Sequence, residues 1–254
     1  MKPFRLVLFF LLVLPAFRAF GQTMPAERYR VEVEIRRWRP SLVSDLEVGE
    51  TATPIVPTED LGLQDERGID FRGAVRLSRR LKVRGSRVAF EYQAAQSLSR
   101  PLRFAGVELG EGASVDTRLE LEQWKVGVEL DLIRSRDGFL AIVGDYSRLD
   151  GRVGLVAAGQ EELQSGLLRV DLPVLGLKGR IYLTPGFSVT AEATGMRRGD
   201  QEVITDLEAV ATYNLGRHVA LSFGYRNFYG KLDEAERRST FRLRGSFASF
   251  TLRI

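Results

Sequence analysis

The chain contains no cysteine, a single histidine, and nowhere an apolar run approaching the roughly 20 residues of a membrane-spanning helix. Without cysteine there are no structural disulfides, no thiolate metal sites and no lipid-modified N-terminal cysteine. With His218 as the only imidazole, the usual general base of lipid, acyl and peptide hydrolysis is available at one position at most. An excess of charge of one sign is also missing. The formal charge of +4 falls to +1 once Lys2, Arg5 and Arg18 leave with the N-terminal segment, so nothing in the charge balance points to a nucleic-acid partner. No Pro-, Ser- or Gly-rich linker separates differently composed halves, and no helix-period segment follows the N-terminus, which indicates one domain.

What is present begins with a leader. Lys2 and Arg5 precede the apolar run Leu6 to Leu14, followed by Pro15 and the small-residue site Ala19-Phe20-Gly21. The run is far shorter than a bilayer is thick, so residues 1–21 are expected to be an exported and removed signal peptide, with cleavage after Gly21. Residues 22–254 then form the mature domain.

That domain alternates with the period of two expected of strands. Tyr29, Val31, Val33 and Ile35 oppose Arg30, Glu32, Glu34 and Arg36, and Ile69, Phe71, Val75 and Leu77 oppose Asp70, Arg72 and Arg76. Val115, Thr117, Leu119 and Leu121 oppose Asp116, Arg118, Glu120 and Glu122. The phase then slips near Gln123 and resumes as Trp124, Val126, Val128, Leu130 and Leu132, which predicts a bulge within one long strand. Further alternating segments are centred on Val189, Leu207, Phe223 and Phe247.

The polar face carries ionised groups of both signs on strand after strand, which suits a barrel whose interior pairs Arg with Glu while its outside faces lipid. Short turns at 79–81, 135–138, 184–186 and 214–217 alternate with mostly longer connections at 40–67, 94–113, 150–168, 196–201 and 229–238, the asymmetry of a barrel with periplasmic turns and outer loops. The expectation is an all-β, transmembrane, antiparallel up-and-down barrel of ten strands near 29–38, 69–79, 82–93, 115–133, 139–149, 169–183, 187–195, 202–213, 218–228 and 240–253. Eight strands is the alternative if the first pair or the Leu102 to Leu109 region is read differently. Tyr29, Trp38, Trp124, Tyr146, Phe187, Tyr213 and Phe228 are candidates for interfacial aromatic girdles.

The leader, the alternating strands, the Gly-aromatic strand segment Phe223-Gly224-Tyr225 and the amphipathic last strand resemble the small outer-membrane β-barrel proteins of Gram-negative bacteria. The resemblance covers nearly the whole mature chain and is one of pattern, without a diagnostic motif. It implies residence in the outer membrane amid lipid and lipopolysaccharide, and the barrel-assembly machinery as a partner during biogenesis. Such chains commonly end on Phe, whereas this one ends on Ile254, with Phe250 and Leu252 keeping the terminal alternation.

Candidate chemistry is sparse. His218 follows a short turn and has Ala220, not a serine, two residues on, while Ser222 lies too far along the strand for a hydrogen bond, so a structural role is expected. The carboxylate pairs Glu32 with Glu34, Glu120 with Glu122 and Glu129 with Asp131 lie among arginines and read as ion-paired groups. The acidic loop 40–66 lacks calcium-loop spacing, and Gly106 to Gly112 lacks the context of a phosphate cradle. No cofactor or metal site is expected. Arg30, Glu32, Arg72, Arg76, Glu120, Glu129, Arg180, Glu192, Glu208, Arg226, Arg242 and Arg244 are expected to point inward as a lumen ion-pair network. The functional expectation is a non-enzymatic barrel, either a structural and surface-interaction protein or a narrow passage for small solutes. A membrane-embedded lipid-modifying hydrolase or acyltransferase is the alternative.

Overall fold

The computed structural model describes residues 29–48, 62, 68–104, 107–157, 163–198, 202–234 and 237–254. The expected leader and most of the acidic loop lie outside these residues. Twelve strands follow in chain order: β1 (Val31–Val48), β2 (Gly68–Arg76), β3 (Leu81–Ser97), β4 (Leu102–Phe104), β5 (Val107–Leu109), β6 (Ser114–Arg134), β7 (Gly138–Ala157), β8 (Leu163–Thr184), β9 (Phe187–Arg198), β10 (Glu202–Asn214), β11 (Val219–Glu234) and β12 (Arg237–Arg253). Ten of them close an antiparallel barrel in the order β1-β12-β11-β10-β9-β8-β7-β6-β3-β2, while β4 and β5 pair with each other between β3 and β6. Ten is the strand number expected from the alternation.

Closure joins the two ends of the chain, with β1 and β12 pairing from Glu32↔Arg253 to Val48↔Arg237. Short turns collect at the end of the barrel that holds Val31 and Ile254. In one of them Gly216 has φ 129°, a conformation that glycine adopts without the steric cost borne by other residues. His218 ends this turn, and its backbone oxygen accepts from the amide of Arg253.

Strand length is where the structure departs from expectation. β1 continues through Pro40 to Val48, β7 to Ala157, β8 starts at Leu163 and β11 runs to Glu234, so much of the expected loops 40–67, 150–168 and 229–238 is strand. The predicted bulge at Gln123 is absent. β6 pairs with β3 without interruption from Leu130↔Leu81 to Ser114↔Ser97, and its register against β7 shifts only between Asp131 and Ile133.

The reason is an inversion of polarity along the barrel axis. From Val115 to Asp131 the odd residues of β6 face inward, and they change from Asp131, Glu129 and Lys125 near the turns to Leu121, Leu119 and Val115 farther up. The even residues all face outward and change from Leu132, Leu130, Val128, Val126 and Trp124 to Glu122, Glu120 and Arg118. The lower half has an ionised interior and an apolar exterior facing lipid. The upper half stands in water and, like a soluble barrel, packs an apolar core inside a charged exterior. A phase slip and a polarity inversion look alike in sequence; only the pairing separates them.

The outward apolar belt runs around the lower barrel through residues such as Val33, Phe71, Val128, Ile142, Leu177, Val189, Leu207, Phe223 and Phe250. No described helix is long and apolar enough to cross a membrane, so this belt carries the crossing. Trp124, Tyr146 and Tyr225 project outward near its upper edge, as interfacial aromatics do. Trp38 and Phe228, expected in that girdle, instead lie inside, each 1% exposed.

Several inward glycines make room for that interior. The Phe247 ring lies over its cross-strand partner Gly224, Phe241 lies over Gly230, and Phe90 covers Gly68. A side chain at any of these glycines would occupy the place of the ring.

Candidate functional site

The lumen holds the densest set of functional groups. Near the turns, Arg253 Nε lies 2.6 Å from Glu32 Oε2 and its Nη1 donates to Asn214 Oδ1 at 2.6 Å. Arg76 pairs with Asp131 at 3.3 Å, and Arg180 Nε donates to Thr190 Oγ1 at 2.8 Å. His218 sits at this rim, exposed, with Nδ1–H donating to the carbonyl of Arg253 at 2.9 Å. This hydrogen bond ties the turn to the closing strand.

Above this rim the pairs interlock. Glu129 is held between Lys82 and Lys178, the latter at 2.9 Å. Arg84 reaches from β3 to Asp145 on β7 and to Glu192 on β9, both at 2.6 Å. Glu208 lies between Arg36 at 2.7 Å and Arg72 at 2.9 Å, while Arg36 also holds Glu34 and Arg72 holds Asp70. Asp206 lies between Lys125 at 2.5 Å and Arg226 at 2.7 Å, and Arg226 donates onward to Gln123 at 2.8 Å. Charges this deeply buried persist only because each has a partner of opposite sign and further hydrogen bonds. The space left among them is about 90 Å³, room for a few water molecules.

An apolar plug caps this layer. Trp38 and Phe90 meet edge to face at 5.2 Å, Phe228 and Phe241 lie 5.6 Å apart, and Val88, Leu121, Leu149 and Leu243 fill between them. The void they enclose is about 10 Å³, no more than a single water. Cation–π contacts join plug to network, with Arg36 over Phe247 at 4.4 Å and Arg226 over Trp38 at 4.6 Å. The guanidinium planes give the charged layer an apolar-compatible roof.

Eight residues expected in the lumen are there: Glu32, Arg72, Arg76, Glu129, Arg180, Glu192, Glu208 and Arg226. Four are elsewhere. Arg30 is exposed at the rim, and Glu120, Arg242 and Arg244 face outward on the upper barrel, where Glu120 pairs with Arg118 at 3.0 Å. Among the described side chains charged residues point inward only at membrane height, and these three outward residues lie above it. The network also includes Glu34, Arg36, Asp70, Lys82, Arg84, Lys125, Asp131, Asp145, Lys178, Asp206 and Arg253. Parity along β1 and β2 would have found Arg36 and Asp70 beside Glu32 and Arg72. Lys125, Asp145 and Lys178 are single charges in apolar runs, the signature of an inward group flanked by lipid-facing neighbours.

Outside, the upper barrel pairs many of its charges: Arg87 with Glu122 at 2.5 Å, Arg118 with Glu91 at 2.7 Å, Arg148 with Asp171 at 2.7 Å and Arg169 with Asp150 at 2.8 Å. The hydrogen bond from Arg148 holds the Asp171 carboxyl below its ordinary pKa. Among the described residues no cluster of His, Asp and Glu is arranged to hold a metal ion.

No protein-family model matches the sequence, nor does any curated protein. Among solved structures, the chain is similar to the outer membrane protease OmpT of Escherichia coli at a TM-score of 0.55 and 8% identity, over 91% of this chain and 97% of that one. It also aligns with the toluene transporter TodX of Pseudomonas putida at a TM-score of 0.37 and 9% identity, over 87% of this chain and 89% of that one. Neisserial surface protein A aligns at a TM-score of 0.37 and 12% identity, over 89% and 97%. The chain therefore has the fold of Gram-negative outer-membrane β-barrels. With its apolar belt and ionised interior, it is a protein of that membrane.

Proposed function

We propose that the protein is a non-enzymatic barrel with a closed lumen, a structural and surface-interaction element of the outer membrane. The observation that carries this reading is the stacking of a dry apolar plug on an interlocked ion-pair layer, which leaves about 90 Å³ below and about 10 Å³ above. A solute path would have to break both at once. The upper strands continue above the lipid-facing belt around that apolar core, which suits a role at the cell exterior.

The enzymatic alternative finds little support. The only histidine lies at the turn end, away from the outer face, and the carboxylate pairs are held by cations: Glu32 by Arg253, Glu34 by Arg36, Glu120 by Arg118 and Glu129 by Lys82 and Lys178. A carboxylate fixed by two ammonium groups is a poor proton acceptor. Fold likeness to a protease does not transfer its activity.

Planar-bilayer recording of the refolded chain tests the proposal. The unmodified protein should show no steady conductance, and Trp38→Ala with Phe228→Ala, combined with Arg72→Ala and Glu208→Ala, should open one. A large, steady conductance of the unmodified protein would refute the closed lumen.

A further inference from the structure

The charged exterior of the upper barrel is not uniform around its circumference. On the face formed by β3, β6, β7 and β8, arginines are matched by carboxylates in the four pairs described above. On the opposite face, at the β1–β12 seam, Arg37 and Arg39 of β1 and Arg242 and Arg244 of β12 are all exposed. Among the residues whose side chains are described none of the four has an ion-pair partner. The register gathers them. Arg39 stands opposite Ser246 and Arg244 opposite Ser41, so Arg39 and Arg244 are diagonal neighbours, about 7 Å apart by strand geometry. Arg37 and Arg242 extend the patch by one outward position on either side, and Arg242 stacks over Tyr229 of β11 at 5.3 Å.

Height identifies what the patch meets. Below it on the same strands come Ile35 and Val33, and Phe250, Leu252 and Ile254, all exposed to lipid. Arg244 stands ten residues from Ile254. At a tilt of about 40° and about 3.4 Å per residue that is a climb of about 26 Å, against an apolar band about 25 Å tall. Arg244 and Arg242 thus project at and above the level where the outer leaflet exchanges acyl chains for headgroups, while Arg39 and Arg37, paired with Ser246 and Ala248, stand about 21 and about 16 Å up by the same rise and reach that level by extending their long stems. Four planar forks that can converge on that height match the geometry and charge of phosphate, which arginine grips in bidentate fashion.

We infer that the β1–β12 seam binds the phosphorylated headgroup of an outer-leaflet glycolipid, with Arg37, Arg39, Arg242 and Arg244 as its phosphate ligands. The site depends on the exterior of the barrel alone and is independent of whether the lumen conducts. It gives the barrel one lipid-anchored flank, opposite the flank whose charges are satisfied internally.

Native mass spectrometry of the refolded chain in detergent, titrated with bis-phosphorylated lipid A or its dephosphorylated form, tests this. The unmodified chain should retain the phosphorylated lipid at least tenfold more tightly. R37Q/R39Q/R242Q/R244Q should lose that preference, while R87Q/R118Q/R148Q/R169Q on the opposite flank should keep it. The heat-dependent shift of folded barrels on gels reports folding, and the half-variants R37Q/R39Q and R242Q/R244Q, each expected to weaken binding severalfold, serve where the fourfold variant does not fold. Equal binding of both lipids by the unmodified chain, or undiminished preference in the folded seam variants, would overturn the inference.

Discussion

Arg84→Ala is the sharpest test of the lumen network. The guanidinium makes four hydrogen bonds: Nε and Nη2 donate to Asp145 at 2.9 and 2.6 Å, and Nη1 and Nη2 donate to Glu192 at 3.0 and 2.6 Å. The Asp145 side chain is wholly buried, and among the described residues Glu192 then keeps only the ion pair with the more distant Lys178, at 3.8 Å. Removing one partner of a buried pair costs about 3–5 kcal/mol because the other charge stays buried, and here two carboxylates are stranded. The expected loss lies at the upper end of that range, a large share of the roughly 5–15 kcal/mol that holds a typical domain together. Replacing the whole triad, Arg84→Met with Asp145→Leu and Glu192→Leu, removes the stranded charges as well and should recover most of the loss. Urea unfolding of the chain in phospholipid vesicles measures both, with the buried Trp38 and the exposed Trp124 as internal fluorophores. A loss below about 1 kcal/mol for Arg84→Ala would mean that the lumen is wet enough to solvate the carboxylates, and the argument for a closed, interlocked interior would fail.

Two further substitutions test the faces and the interior packing. Leu207→Arg places a charge in the lipid belt and should cost about 2–4 kcal/mol if it lies near the midplane, whereas Glu208→Arg puts a third cation beside Arg36 and Arg72 and should prevent folding into vesicles; equal tolerance of the two would show that the faces are assigned the wrong way round. Gly224→Ala would bring a Cβ within 2.7 Å of the Ala209 carbonyl oxygen and closer still to the Phe247 ring, a cost of about 1–3 kcal/mol by overpacking. That cost should shrink in a Phe247→Leu background, and a double-mutant cycle showing no coupling would remove the ring from the account.

The barrel itself was legible because its lower half obeys one rule on every strand. Val33, Ile69, Val128, Leu207 and Phe250 alternate with charged or small polar partners, and the turns at 79–81 and 214–217 fall where the strands reverse. Strand number, antiparallel order and the enclosure of Glu32, Arg72, Glu129 and Glu208 follow from that alternation alone. The Gly-aromatic segment around Gly224 was visible too, but its purpose was not, since the ring that covers Gly224 comes from Phe247 on the next strand.

The upper half was misread for a physical reason. A residue type carries no record of its height, and the same Arg that must point inward opposite lipid must point outward opposite water. Glu120 and Glu129 lie nine residues apart on β6 and differ in parity, yet a single polar-inward rule places both in the lumen by inserting a bulge at Gln123. Strand pairing removes the bulge, and with it the inward place of Glu120. The mark of the crossing is Trp124, an aromatic whose outward neighbours are Glu122 on one side and Val126 on the other. A tryptophan at the junction of charged and apolar residues of equal parity signals the membrane surface, because an indole gains from both phases there. β12 has no aromatic at that junction, with Ser246 and Ala248 between Arg244 and Phe250, so there only the equal parity of Arg242 and Arg244 with the lipid-facing Phe250 and Leu252 puts both arginines outside, and it is this placement that turns two supposed lumen charges into half of the proposed phosphate-binding seam.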